Sequence, residues 1–258
     1  MHNLLKGKKG IIFGIANNHS IAWGIAKKLR ENGAILGITY QNETLLKRAE
    51  PLAKEINSEF LIQCDFSNDK DIDECYKKIS AKWDSIDFVV HAVAYSDKSE
   101  LNGRYITTSK KNFINTLNIS CYSFTKIAHL FSSMMINGGS LVTLTFYGSK
   151  KVVPTYNVMG IAKAALETSV KYLSVDLGNK KIRVNAISAG PMRTLSGAVI
   201  GKSREVYKFT QENSPLKRNV NLEEIGNTAT YLVSDMSAAI TGEIHYVDCG
   251  FNIIGMPK

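Results

Sequence analysis

Short apolar segments alternate with segments of helical periodicity along most of the 258 residues, and this alternation restricts the fold more than any other feature. Parallel strands need a crossover of a dozen or more residues, so strands separated by helices of this length indicate βαβ units. The predicted strands are Gly10 to Ile15, Ala34 to Tyr40, Phe60 to Cys64, Ile86 to His91, Ser140 to Phe146, Ile182 to Ile187 and Glu243 to Val247.

The predicted helices lie between these strands: Ile21 to about Gly33, Glu43 to Ile56, Lys70 to Trp83, Lys110 to Met135, Asn157 to Gly178 and Leu222 to Ser234. We expect a single α/β domain over residues 1–258, a Rossmann-like doubly wound parallel sheet of about seven strands with helices on both faces. A long polar loop to about Thr108 follows the fourth strand. Residues 188–218 have weak periodicity and small central residues, and we expect them to form a mobile lid with short helices.

Charge and cysteine content limit the classes of function. The net charge of +9 comes largely from scattered lysine pairs such as Lys8/Lys9 and Lys180/Lys181, which are typical of solvated helix faces, so we expect no nucleic-acid partner. The four cysteines form no metal-binding spacing and are expected to be free thiols, with no metal site. Neither a signal peptide nor an apolar run long enough to cross a membrane is present, which predicts a soluble cytoplasmic protein without a membrane partner.

Small and polar residues follow several predicted strands, where a doubly wound sheet places its ligand. Gly14 follows the first strand and Ser20 begins the next helix, an arrangement suited to a pyrophosphate although the G-x-G-x-x-G spacing is absent. Asp65 follows the third strand and Ala92 the fourth, while residues 188–194 follow the sixth. These ends converge on one edge of the predicted sheet, which favours a nucleotide site there.

The second strand ends in Tyr40, Gln41 and Asn42, which supply neither the acid typical of an NAD site nor the base typical of an NADP site. Lys47 and Arg48 come later, on the predicted helix. By spacing alone, both cofactors stay open.

Four tyrosine–lysine pairs are spaced by four or seven residues: Tyr40/Lys47, Tyr122/Lys126, Tyr147/Lys151 and Tyr156/Lys163. The first belongs to a different loop and the second lies within a long amphipathic helix. Pro154 argues against a regular helix that would align the third pair. The pair Tyr156/Lys163 follows the fifth strand and starts the helix after Pro154, where two helical turns would bring both side chains to one face.

Several motifs together resemble one branch of the short-chain dehydrogenase/reductase superfamily, the NADH-dependent enoyl-acyl carrier protein reductases of bacterial type II fatty-acid synthesis. The matching segments are G-x5-S-I-A-x-G from Gly14, TYQN from Thr39, QCD from Gln63, YNVMGIAKA from Tyr156, RVNAISAGPMRT from Arg183 and GEIHYVDCGFNI near the end. The Tyr-x6-Lys spacing marks this branch, whereas the superfamily usually has Tyr-x3-Lys.

The resemblance implies a role for each matching residue. It implies catalytic roles for Tyr156 and Lys163. The implied NADH-binding residues are Gly14, Ser20, Ile21 and Thr194 at the pyrophosphate, Asp65 and Phe66 at the adenine, Gln41 near its ribose, Lys163 at the nicotinamide ribose, Ile187 and Pro191 at the nicotinamide, and Ala94, where a glycine is common. The implied substrate-binding residues are Tyr147, Tyr156, Met159, Ile200 and Val206. Phe146 stands where a second tyrosine is common.

The resemblance also implies the reaction and the partners. Hydride from NADH would reduce the C2=C3 bond of a trans-2-enoyl thioester carried by acyl carrier protein, the last reductive step of fatty-acid elongation. A tyrosine hydroxyl aimed at the thioester oxygen would stabilise the enolate. Such enzymes are usually homotetramers.

Two other functions fit the sequence less well. A carbonyl reductase of the same superfamily would need a serine about 13 residues before the tyrosine and a Tyr-x3-Lys pair, but Thr143 and Gly160 occupy those positions. An inactive nucleotide sensor or a nucleic-acid-binding protein has only the positive charge in its favour, and the intact Tyr156/Lys163 pair argues against it.

Overall fold

A computed structural model describes residues 3–195, 197 and 201–256, and it contains the predicted parallel sheet. The strands are β1 (Lys9–Phe13), β2 (Ile35–Tyr40), β3 (Phe60–Gln63), β4 (Phe88–His91), β5 (Gly139–Thr145), β6 (Ile182–Ala189) and β7 (Ile244–Val247). All neighbouring strands are parallel, in the order β3-β2-β1-β4-β5-β6-β7. The doubly wound fold with about seven strands is confirmed.

Helices connect the strands. They are α1 (Ile21–Glu31), α2 (Glu43–Glu55), α3 (Asp69–Ser80), α4 (Lys98–Leu101), α5 (Lys110–Leu117), α6 (Ser123–Phe131), α7 (Val158–Gly178), α8 (Ser203–Asn213) and α9 (Leu222–Val233). Short 3-10 turns lie at Tyr105–Thr107, Tyr147–Ser149, Asp235–Ser237 and Phe251–Ile253, and a π turn spans Asn118–Tyr122. Within the described residues, no helix has the length and apolar character needed to cross a membrane.

Alternation along the strands divides the core between the two faces of the sheet. Ile11, Val89, Leu141 and Val184 share one face, where the apolar sides of α3, α6 and α7 cover them. Ile12, Val90, Val142 and Ile187 share the other face, under α1 and α9. Strands buried on both faces explain the nearly continuous apolar runs in the sequence.

The order of the strands reverses between β1 and β4, and the backbone is tightly packed there. Gly14 follows β1 with a φ of +95°, and a Cβ at this position would lie 2.2 Å from the carbonyl oxygen of Ala92, which follows β4. Only glycine meets both conditions without strain. The crevice at this switch point is where a doubly wound sheet binds a nucleotide.

The structure corrects the predicted elements in two regions. The helix predicted over Lys110 to Met135 is interrupted by the π turn and ends at Phe131, and the loop before it contains α4 and a 3-10 turn. β6 continues to Ala189, so the first two residues of the predicted 188–218 lid belong to the sheet. That segment also contains α8, a regular helix of 11 residues. Thr210 is the one buried residue of α8, so the helix has no buried apolar face that would give its sequence a clear helical periodicity.

Candidate active site

Tyr156 lies in a turn before α7 rather than in the helix. The helix begins at Val158, and the residues on either side of the tyrosine, Thr155 and Asn157, have φ angles of +64° and +40°. The prediction that Tyr156 starts the helix is therefore wrong, as is the expectation that two full helical turns align it with Lys163. The turn nevertheless buries the phenol ring, which is only 5% exposed.

Side chains hold this turn in its left-handed conformation. The amide of Asn157 donates hydrogen bonds to the carbonyl oxygens of Leu101 at 3.0 Å and Gly103 at 3.3 Å. The hydroxyl of Thr155 donates to the carbonyl oxygen of Gly201. Positive φ angles at non-glycine residues persist only where the surrounding structure enforces them. The strained turn thus joins the loop after β4 to the segment that precedes α8.

Lys163 is buried on α7 and donates a hydrogen bond from Nζ to the carbonyl oxygen of Leu144 at 2.8 Å. Burial lowers the pKa of its ammonium group to about 8, although the nearby Cys121 and Glu167 oppose this shift. Burial raises the pKa of the Tyr156 phenol, and Glu167 adds to that effect. At neutral pH the site therefore offers one neutral O–H donor and one ammonium group.

A third apolar cluster surrounds Tyr156, separate from the two faces of the sheet. It consists of Leu101, Val153, Tyr156, Val158 and Met159, with Phe113, Leu117, Phe146, Tyr147 and Val206 packed against it. Four of the predicted substrate-binding residues, Tyr147, Tyr156, Met159 and Val206, therefore lie together. The fifth, Ile200, lies outside the described residues.

Aromatic rings form a continuous chain from the phenol to α8. The ring of Phe146 lies 5.0 Å from that of Tyr156 and 5.5 Å from that of Tyr147, with edge-to-face geometry. The ring of Phe251 then contacts Tyr147 at 5.4 Å and Phe209 at 6.0 Å. β5 ends before Phe146, and both Phe146 and Tyr147 border the cluster.

The predicted pyrophosphate residues lie at the start of α1. Ser20 caps the helix, since its Oγ accepts a hydrogen bond from the N–H of Trp23. The first N–H groups of a helix, here those of Ile21 and Ala22, have no partner within it and suit an anion. Gly14 keeps the neighbouring backbone clear of a side chain. The residues at this edge therefore fit a dinucleotide phosphate.

Thr194 lies further along, after β6. Its Oγ1 accepts a hydrogen bond from the N–H of Gly197 at 2.9 Å. Pro191, three residues before Thr194, is half-buried. Ile187 is fully buried on β6, and its side chain lies in the core under α1 and α9.

The predicted adenosine residues occupy the ends of β2 and β3. The amide of Gln41 donates a hydrogen bond to Oδ1 of Asp65 at 3.3 Å, which brings these two residues together as expected. The ring of Phe66 points into the core instead, edge-on to Phe13 and His91. Its main chain, rather than its ring, lies at the sheet edge. Ala94 is exposed after β4.

Two buried polar groups near the site were missed by the sequence reasoning. His91 lies within hydrogen-bonding distance of the hydroxyls of Thr143 and Ser123, and burial together with Lys163 lowers its pKa to about 3. Glu167 is 1% exposed, four residues after Lys163. An acidic residue on the apolar stripe of the predicted helix was the signal that could have revealed it.

Comparisons with known proteins agree with one another. Residues 14–252 match a family model described as enoyl-(acyl carrier protein) reductase. Enoyl-[acyl-carrier-protein] reductase [NADH] 2 of Rhizobium meliloti is 54% identical over 100% of this chain and 96% of its own. The crystal structure of FabI from Candidatus Liberibacter asiaticus has a TM-score of 0.98 and 53% identity, with both chains fully covered. The Anaplasma phagocytophilum reductase, in complex with NAD, has a TM-score of 0.96 and 51% identity, covering 100% of this chain and 98% of that one.

Proposed function

The chain belongs to the enoyl-acyl carrier protein reductase family, and from that premise we propose that it reduces the C2=C3 double bond of trans-2-enoyl thioesters with NADH. The substrate is carried by acyl carrier protein, and the reaction completes a cycle of fatty-acid elongation. The observation that carries the proposal is the buried pair of Tyr156 and Lys163 beside an apolar cluster, at the edge of the sheet that fits a dinucleotide.

Tyr156 acts as the oxyanion donor. When bound, NADH would supply the hydride for C3 of the enoyl chain, which leaves negative charge on the thioester oxygen until C2 takes up a proton. The phenol is neutral at physiological pH, so its O–H can donate to that oxygen as the charge forms. The surrounding apolar side chains exclude water, which strengthens this hydrogen bond.

Lys163 orients the cofactor. Its ammonium group, now donating to the Leu144 carbonyl, can turn to the hydroxyls of the nicotinamide ribose. Gly14, Ser20 and Ile21 hold the pyrophosphate. The remaining cofactor residues are Thr194 at the pyrophosphate, Asp65, Phe66 and Gln41 at the adenosine, Ile187 and Pro191 near the nicotinamide, and Ala94 after β4.

The cofactor is NADH rather than NADPH. Gln41 and Asp65 form a neutral–acidic pair where the adenosine ribose would lie, and an acidic oxygen repels a 2′-phosphate. Comparison of kcat/KM for the two cofactors tests this assignment. Equal or better use of NADPH would contradict it.

We call residues 190–218 the covering segment, of which the structure describes 190–195, 197 and 201–218, and we propose that α8 and its flanking residues close over the substrate. α8 contributes Val206 to the apolar cluster while most of its surface stays exposed, as expected of an element that docks reversibly. The enzyme acts as a single catalytic domain, in the cytoplasm and as a homotetramer. Family membership supports these three assignments.

The direct test follows NADH absorbance with crotonyl and dodecenoyl thioesters and identifies the product by mass spectrometry. The proposal predicts saturated acyl thioester and NAD⁺ in equal amounts. NADH oxidation with ketones or β-ketoacyl thioesters, and none with enoyl thioesters, would identify a carbonyl reductase instead.

A further inference from the structure

Glu167 is a buried carboxylate that the proposed chemistry does not use. It lies one helical turn after Lys163 on the same side of α7 and is 1% exposed. Its Oε1 accepts hydrogen bonds from Oγ1 of Thr145 at 2.8 Å and from Oγ of Ser149. Its Oε2 lies 3.2 Å from Nζ of Lys150, as an ion pair without the geometry of a hydrogen bond.

The carboxylate lies over a polar row at the carboxyl ends of three strands. Thr145 of β5 is in register with Ser188 of β6, which is in register with Tyr246 of β7, so the three side chains share one face. Burial raises the pKa of Tyr246, and the charge of Glu167 raises it further. In the described chain, the Ser188 hydroxyl is buried without a hydrogen bond. This row is therefore polar on a face that is apolar deeper in the sheet.

Stability alone does not account for a carboxylate at this position. A buried charge loses its hydration, and an apolar residue of similar volume is often neutral or stabilising in its place. All three partners of Glu167 lie within residues 145–150, and one of them, Lys150, is half exposed. The carboxylate thus ties α7 to the end of β5 and the turn after it.

Two residues in or next to that turn contact the two catalytic residues. Leu144, immediately before it, supplies the carbonyl oxygen that holds Lys163 at 2.8 Å. Phe146, within it, places its ring 5.0 Å from the ring of Tyr156. A shift of the turn would therefore move both neighbours at once.

We propose that Glu167 is a positioning residue of the reductase: by anchoring residues 145–150 it sets the places of the Lys163 ammonium and the Tyr156 phenol. The proposal rests on the proposed function. The carboxylate of Glu167 also helps to keep Lys163, on the same side of α7, protonated.

The charge of Glu167 gives the proposal a second readout. The groups facing Lys163 are Cys121 of the π turn, neutral His91 of β4, Glu167 itself and, beyond it, Lys150 of the following turn. Since Glu167 opposes the lowering of the Lys163 pKa, its replacement by glutamine lowers that pKa further below about 8. The alkaline limb of the activity profile then moves to lower pH.

The experiment compares Glu167→Gln, Ser149→Ala and a control, Asp176→Asn, which removes an exposed carboxylate from the same helix. Each variant is assayed with NADH and crotonyl-CoA across pH, and NADH binding is measured by fluorescence well below the pKa of Lys163. We expect Glu167→Gln to lower kcat by about 10–100-fold, as for small misplacements of reacting groups. NADH binding at low pH changes little, and the alkaline limb shifts down.

Ser149→Ala keeps the charge, so we expect a smaller loss of kcat and no shift of the limb, while Asp176→Asn changes neither. A Glu167→Gln variant with a lower melting temperature but with normal kcat and pH profile would show a purely structural residue and overturn the inference. If that variant does not fold, normal kcat in Ser149→Ala overturns it. An unmodified chain that fails to reduce enoyl thioesters would overturn the proposed function instead.

Discussion

α7 and α8 both border the site, but the protein holds them in different ways. Nine of the 21 residues of α7 are buried, including Lys163 and Glu167, and the helix packs along β5 and β6. α8 buries Thr210 alone among its 11 residues. Helices with few buried contacts open at low free-energy cost, whereas buried ones open only with the whole domain.

The contacts of the covering segment are also more exposed. The guanidinium of Arg193 lies 4.7 Å from the ring centroid of Tyr207, and the ring of Phe209, itself 47% exposed, touches Phe251. Such contacts contribute on the order of 1 kcal/mol or less each at exposed sites. We therefore propose that α7 fixes the reacting groups and that the covering segment controls access to them.

The largest effect on turnover is expected at the tyrosine in the turn before α7. Tyr156→Phe removes the hydroxyl and keeps the ring, so kcat falls by about 10²–10³ while NADH binding is nearly unchanged. Phe146 has no hydroxyl that could substitute. Steady-state kinetics and NADH fluorescence titration measure the two quantities.

Tyr147→Phe is the matched control, because Tyr147 borders the same cluster. We expect only a small change of kcat. If Tyr147→Phe is the more damaging of the two, the phenol has been wrongly assigned even though the family is right.

Lys163→Ala is expected to affect binding as well as turnover. It removes a buried charged donor, and hydrogen bonds from charged groups contribute about 1.5–3 kcal/mol, so NADH binding weakens by roughly 10–100-fold. Isothermal titration with NADH measures this change. An unaltered Kd would show that the ammonium group does not contact the cofactor.

The pH dependence of the unmodified enzyme sharpens the same assignment. The pKa of Lys163 is lowered to about 8, so the ammonium form is present below that pH and is lost as pH rises through it. We expect kcat/KM for NADH to fall above pH 8. The profile comes from initial rates, with circular dichroism to exclude unfolding, and a flat profile across this range would contradict the assignment.

A smaller effect is expected where the covering segment contacts the aromatic rings beside the site. Phe251→Ala breaks the ring contacts to Tyr147 and Phe209, and aromatic pairs contribute about 0.5–1.5 kcal/mol beyond area burial. KM for dodecenoyl thioester therefore rises roughly two- to tenfold with kcat nearly unchanged. A loss of kcat as large as that of Tyr156→Phe would mean that the covering segment also positions the reacting groups.

The sheet could be predicted from the sequence because burial on both faces leaves a strong local signal. Ser20 was predicted at the start of the helix after β1, and it caps α1 because its hydroxyl acts on the adjacent turn. The left-handed residues Thr155 and Asn157 could not be predicted, because distant partners such as Leu101 and Gly201 enforce that geometry.

The candidate site shows the same limit. The pairing of Tyr156 with Lys163 was found from the order of the elements, and the two residues are both buried beside the cluster. Glu167 was overlooked, because its partners Thr145 and Ser149 come from a different strand and turn. Contacts between elements far apart in sequence have no periodic signature.

Hydrogen exchange tests the difference between α7 and the covering segment most directly, because one experiment measures the protection of both. Peptides from α7 (158–178) and from the covering segment (190–218) are followed in the free enzyme and with NAD⁺ plus a saturated acyl thioester. The account predicts that α7 is strongly protected in both states, while the covering segment slows only when both ligands are present. Equal protection of the covering segment in the two states would identify a rigid wall and contradict the account.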